Sequence, residues 1–144
     1  MAKKENYEHC CRIIEDMEAY NDGCIYKYDG IEYDTREMEL TENEEGEEGY
    51  MIDNEFVSID DMEQLSLWDY FDTDSIYDIK YTVDGRKEYC GVCLMIACGG
   101  PNIYIDTNSK CVELYWWGED AKASMSSDLI AAIDAIWEEY YNCL

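Results

Sequence analysis

The sequence predicts an α+β domain: an antiparallel meander sheet of about four strands with a C-terminal helix packed on it, preceded by an acidic helix-hairpin-helix part. Three observations predict this. The stretch from Lys87 to Trp117 is the most apolar of the chain and carries its strongest strand signals. Asp29-Gly30 and Asp84-Gly85 each sit between alternating runs, which is the composition of tight hairpin turns. Apolar residues at helical spacing gather in three segments, two of them near the ends of the chain.

Taken in order, the elements begin with a helix. Tyr7, Cys10, Ile13, Ile14 and Met17 recur every three or four residues, so an amphipathic helix is expected from Glu5 to Tyr20, ending near Asn21, Asp22 and Gly23. A hairpin is expected around Asp29-Gly30, with Tyr26, Tyr28, Ile31 and Tyr33 as its buried positions. Ser58 before Asp60 and Asp61 reads as a helix start, and Met62, Leu65, Leu67, Trp68 and Phe71 supply an apolar stripe to about Tyr70. Residues 76–83 lead through Asp84-Gly85 into a strand from Cys90 to Cys98 whose two alternating sets are both uncharged. Such a strand is expected to be central and covered on both sides. Gly99, Gly100 and Pro101 break it, because the chain's one proline cannot donate to a ladder. Ile103 to Ile105 and Cys111 to Trp117 then form a hairpin, and a polar connector reaches Ser126. Ser126, Ser127 and Asp128 cap a last helix whose apolar face is Leu129, Ile130, Ile133, Ile136, Trp137 and Tyr140. One domain, 1–144, is expected, with an acidic part over 1–74 and a sheet-plus-helix part over 75–144.

Charge limits the function. The chain has 35 acids against 10 bases, for a formal net charge of −25. That repels phosphate, so neither nucleic acid nor an anionic membrane is an expected partner, and a basic protein is the natural complement. Residues 1–74 hold 24 acids and 5 bases, and 75–144 hold 11 and 5. Fourteen tyrosines and four tryptophans give enough apolar surface for folding, which excludes a disordered acidic tail. The start MAKKENYEHCC lacks the apolar core of a secretory signal, so the eight cysteines are expected to be thiols in a cytoplasmic protein.

Motifs for chemistry are sparse. Cys90-x-x-Cys93, near Cys98 and Cys111, has the ligand type for zinc, but residues three apart in a strand point to opposite faces; buried core thiols are the simpler reading. Asp72, Asp74 and Asp78 begin like a calcium loop, yet Tyr77 stands where that loop needs glycine and Val83 where it needs glutamate. His9 is the sole histidine, so nucleophile-base schemes lack their base. No catalytic residue, metal or cofactor is expected. The expected partner-binding set is Glu37, Glu39, Glu42, Glu44, Glu45, Glu47, Glu48, Asp60, Asp61 and Glu63, with Glu37 and Glu39 on a strand about 7 Å apart, twice the rise per residue. An aromatic anchor is expected from Tyr50, Tyr70 or Trp117, of which Trp117 is assigned to the set.

GGPNIYIDT (Gly99 to Thr107) and VELYWWG (Val112 to Gly118), with LSLWDYFD and IKYTVDGRKEYCGV before them, resemble a group of small acidic proteins of phages and mobile elements of gut bacteria. The resemblance covers roughly Leu65 to Leu144. The group is functionally uncharacterised; by analogy of class, since mobile elements often carry compact acidic inhibitors and the charge is similar to that of anti-CRISPR and anti-restriction proteins that imitate DNA, the expected function is an anti-defence inhibitor that occupies the basic nucleic-acid groove of an effector nuclease. The alternatives are an immunity protein or antitoxin against a basic toxin, and a metal-dependent enzyme or zinc-binding module.

Overall fold

The stripe Cys10, Ile13, Ile14 and Met17 is buried on one face of a long first helix, α1 (Ala2–Asn21), in the computed structural model, which describes residues 2–71 and 75–144. Asp72 and Asp74 of the calcium-like run lie outside the described residues. Tyr7, expected in the stripe, is 51% exposed. Past the helix Gly23 takes φ +74, a left-handed conformation open to glycine at little cost.

The hairpin at Asp29-Gly30 forms as expected. Strands β1 (Ile25–Tyr28) and β2 (Ile31–Asp34) pair antiparallel, and both turn residues have positive φ, 52° and 78°. Beyond β2 the chain departs from the expected helix-hairpin-helix. Strands β3 (Thr41–Glu42), β4 (Glu48–Ile52) and β5 (Glu55–Ser58) make a three-stranded antiparallel sheet, and β6 (Glu63–Gln64) adds to β1 to give a second sheet in the order β2-β1-β6. Ser58 starts only one 3-10 turn, over Ile59–Asp61, its hydroxyl accepting from the Asp60 N–H at 3.3 Å. The second helix, α2 (Leu67–Tyr70), is a single turn with the Asp69 carboxylate accepting from the Ser66 N–H at 2.7 Å. Met62 and Leu65 are buried as expected, but from extended backbone. Three apart in extended backbone, they serve opposite sides, Met62 packing with Tyr50, Ile52 and Val57 and Leu65 with Ala19 and Ile25, where a helix would have set them on one face.

These strands enclose a core of their own. Tyr50, Ile52, Val57 and Met62 are buried together, with Tyr26, Tyr28, Tyr33 and Met38 packed around them. Ile31, also expected inside, is 55% exposed. Gly49 is a fixed requirement of this core, since a Cβ there would meet the Val57 carbonyl oxygen across the ladder. Gly49→Ala is therefore expected to loosen these strands by about 1–3 kcal/mol. Hydrogen exchange should show faster exchange at β4 and β5 with the C-terminal helix and the second half of the chain unchanged, and uniform protection everywhere would count against the account.

The second half is a meander of five strands, one more than expected: β7 (Asp78–Val83), β8 (Tyr89–Ala97), β9 (Asn102–Asp106), β10 (Cys111–Trp116) and β11 (Glu119–Ser124), in the order β11-β10-β9-β8-β7. The fifth occupies the expected polar connector, and its inward residues are only Ala121 and Ala123. Small side chains suit the site, where the Cys10 thiol reaches the Ala121 carbonyl at 3.8 Å and α1 lies close on the strand. The β7–β8 turn is longer than the two residues expected. Asp84 accepts from the N–H groups of Arg86 and Glu88 at 2.8 and 3.0 Å, and Lys87, not Gly85, takes the left-handed conformation, at φ +63.

The last helix, α3 (Ser127–Asn142), starts where Ser126 Oγ accepts from the Leu129 N–H at 3.2 Å. Helices α1, α2 and α3 cover the face bearing Val92, Leu94, Ile103, Ile105, Val112 and Leu114. Against the expectation of a strand covered on both sides, β8 lies next to the edge strand and its second face carries half-buried Cys93, Met95 and Ala97. Cross-strand neighbours Lys80, Tyr104 and Asp106 shield those small groups in place of a second layer.

Candidate partner-binding surface

Between α1 and α2, residues 22–66 form a lobe holding 16 acids and 2 bases, a net −14, while the other 99 residues together carry −11. The lobe is fastened to the body. The Tyr20 hydroxyl donates to Glu32 at 2.6 Å, Arg36 Nη1 donates to the Glu15 carbonyl at 3.4 Å, and Ala19 of α1 is buried together with Ile25 and Leu65 of the lobe.

The densest acids ride on the β3–β4 hairpin. Asn43 organises its turn: the side-chain oxygen accepts from the N–H groups of Glu45 and Glu47 at 3.0 and 2.9 Å, and Gly46 supplies the left-handed residue at φ +84. The turn thereby points Glu44, Glu45 and Glu47 into solvent, and Glu42 stands directly across from Glu48. Like charges so placed repel, by roughly 0.2–1 kcal/mol. Glu37 and Glu39 are exposed, but Glu37 ends the 3-10 turn Thr35–Glu37 and Glu39 lies in irregular backbone, so no strand sets them 7 Å apart. Asp60 and Asp61 are exposed on their own 3-10 turn, and Glu63 on β6 is paired in register with Lys27.

Of the lobe's two cations, Lys27 and Arg36, the second is engaged locally. Arg36 grips Asp34 through Nη2 at 2.6 Å and Nε at 3.0 Å, and the guanidinium's hydrogen bonds hold that carboxyl below the usual range. Among the described residues the ion pairs are Arg36–Asp34, Lys80–Asp78 and Lys122–Glu113, so none of the ten expected acids is in one.

Of the expected aromatic anchors, Tyr50 is 8% exposed, enclosed in the lobe core, and Tyr70 is half-buried against Tyr20. Trp117 is 86% exposed at the β10–β11 turn, where it and Gly118 take positive φ, 50° and 76°. A bulky residue in that conformation is unusual. The structure does not place it within the lobe. It does sit at the same end of the sheet, since β8 and β10 run parallel and Tyr70, which meets Tyr20 of α1, lines a cavity with Ile96 near the end of β8.

The cysteines of the sheet are not the buried core thiols expected, since of Cys90, Cys93, Cys98 and Cys111 none is buried and Cys98 lies exposed past the end of β8. Cys90 is exposed, whereas Cys93 is half-buried beside Asp106, which in turn faces Cys111 across the open sheet face. Among the described residues no group of three or more His, Cys, Asp or Glu is placed to hold a metal ion. His9 is half-buried on α1. No helix among them is long and apolar enough to cross a membrane.

Burial gives the body a pH limit. Burial pushes the Cys10 and Cys93 thiols up to about 11 and the Tyr70 phenol up to about 12. Tyr20 and Tyr89 are raised further, by burial and then by the hydrogen bonds they donate to Glu32 and Asp134. The native chain thus keeps protons that the unfolded chain releases from about pH 8.5 upward. Stability is whole below that value and falls as pH rises through the native values. Melting temperatures recorded from pH 7 to pH 11 are expected to decline above about pH 9, and a flat profile would contradict these assignments.

Sequence reasoning missed one feature. A cavity of about 350 Å³ opens between α2 and α3, lined by Trp68, Ile136, Glu139, Tyr140 and Cys143. The signal was the 136, 139, 140, 143 spacing on one side of α3, next to the face used for the core. Fold and surface together define a class, a small α+β protein whose negative charge is gathered on a separate β lobe. No protein-family model, curated protein or solved structure matches the chain.

Proposed function

We propose that the protein is a non-enzymatic inhibitor whose acidic lobe occupies the basic nucleic-acid-binding groove of a bacterial effector nuclease. One observation carries the reading: a net −14 on 45 residues, displayed as exposed carboxylates on a β scaffold with its own core. Nucleic-acid grooves are lined with Lys and Arg that exchange counterions for phosphate. Carboxylates held in advance by strands meet such a groove without a large ordering cost, and the field speeds encounter. The likeness of Gly99–Thr107 and Val112–Gly118 to acidic proteins of mobile elements favours a defence nuclease as the groove's owner.

The test is competition. Added to candidate nucleases, the protein is expected to displace guide RNA or DNA in proportion to its concentration, with affinity falling steeply as salt rises. Tight binding to a nuclease that leaves its nucleic acid in place would overturn mimicry and favour an immunity-type clamp on another surface.

A further inference from the structure

We propose that the cavity between α2 and α3 receives an arginine side chain of the protein's partner. Three independent features favour a cation there. First, Trp68 and Tyr140, 39% and 41% exposed, offer aromatic faces at its mouth, and both are braced by the buried Trp137, with ring centroids 5.7 and 5.5 Å away. A cation is drawn to such faces by the ring quadrupole, most strongly at tryptophan. Second, Glu139 stands in the lining as a carboxylate exposed to solvent. Third, the cavity sits at the C-terminal end of α3, where the aligned peptide dipoles leave partial negative charge. A helix end usually answers that charge with its own Lys or Arg. Here the last turn holds no base, and Glu138 and Glu139 add to the negative potential.

Shape and chemistry select the guanidinium. Ile136 and Cys143 give apolar wall for a methylene stem, while the Trp68 and Tyr140 rings are 5.9 Å apart and tilted by 32°. That spacing is too small to admit a group between them, so the ligand lies flat on a face. A planar, weakly hydrated guanidinium stacks in that way, and a compact, strongly hydrated ammonium does so less well. The cavity's volume, about 350 Å³, accommodates such a side chain. This inference deepens the proposed function, resting on it for the partner's basic character; the cavity itself can be probed without any nuclease.

The probe is the blocked tripeptide acetyl-Gly-Arg-Gly-amide, titrated into the 15N-labelled full chain to roughly 20 mM, a range suited to millimolar affinity. The Trp68 indole signal is expected to shift and saturate, with the Trp116 and Trp117 indoles unmoved. The citrulline counterpart, of like shape and no charge, is expected to bind at least about fivefold more weakly, and the lysine counterpart more weakly than arginine. Glu139→Gln is expected to weaken binding roughly threefold and Trp68→Ala roughly tenfold or more. Since Trp68→Ala also removes packing from α2, Tyr140→Leu serves as a second variant that keeps an apolar side chain there and loses the aromatic face, and it too is expected to weaken binding several-fold. A chain with Glu42, Glu44, Glu45, Glu47 and Glu48 changed to Gln is expected to keep the Trp68 shift, which separates this site from the lobe. Failure of Trp68 to shift, equal binding of citrulline or lysine, or loss of the shift in the lobe variant would each overturn the proposal. None of these results depends on whether the protein inhibits a nuclease.

Discussion

Replacing Glu42, Glu44, Glu45, Glu47 and Glu48 together by Lys is expected to weaken the proposed inhibition of a nuclease by roughly 100-fold or more, with the fold intact. These side chains are exposed, and among the described residues none forms an ion pair. The turn that carries them is held by Asn43 and Gly46, which the substitutions leave in place. The hairpin would then repel a basic groove that it had matched, a penalty felt most in the association rate. The Gln version of the same set isolates charge from shape. Because Glu42 and Glu48 face each other across the ladder, neutralising them is expected to raise the melting temperature slightly while inhibition falls. Inhibition undiminished by five reversals would refute the assignment of this hairpin, whatever the partner. Lost inhibition together with lost folding in the Lys set would be resolved by the Gln set.

The second large effect lies in the body. Trp137 is fully buried, with Phe71, Trp68 and Tyr140 rings packed on it at centroid distances of 5.7, 5.7 and 5.5 Å. Trp137→Ala is expected to cost about 3–5 kcal/mol, which lowers the melting temperature by roughly 6–20 °C in a chain of this size. Trp137→Phe is expected to cost far less, on the order of 1 kcal/mol. The indole N–H has no hydrogen-bond partner among the described residues, so its removal forfeits no bond. Thermal unfolding of the two variants checks both statements. A phenylalanine variant as unstable as the alanine one would show that the N–H, and not the ring's volume, matters.

How far the sequence revealed the fold depended on how local each signal was. Asp29-Gly30 announced its turn because positive φ at two successive residues is nearly a property of that dipeptide. The last helix was legible from Ser126 and its six apolar positions, three of which, Leu129, Ile133 and Trp137, are buried. The β4–β5 turn was not legible because Asp53 and Asn54 take φ of 52° and 65° without a glycine. The strand Glu119–Ser124 was hidden by alanines, whose weak strand preference says little until α1 is laid over them. The candidate surface divides in the same way. The acids of residues 42–48 were legible as charge, but a supposed strand at 37–40 placed Glu37 and Glu39 wrongly.

Sequence alone determined the size of the negative charge, its concentration before residue 67, the Asp29-Gly30 turn and the capped final helix. Each of these is a sum over residues or a preference of adjacent ones. Tertiary structure decided that residues 22–66 close around a tyrosine-rich core of their own, that one face of the large sheet stays open, and that Trp68 leans over Tyr140. Residues far apart in sequence compete for the same buried volume in such choices. Which of them wins is set by packing against every neighbour at once, a quantity no single stretch of chain contains.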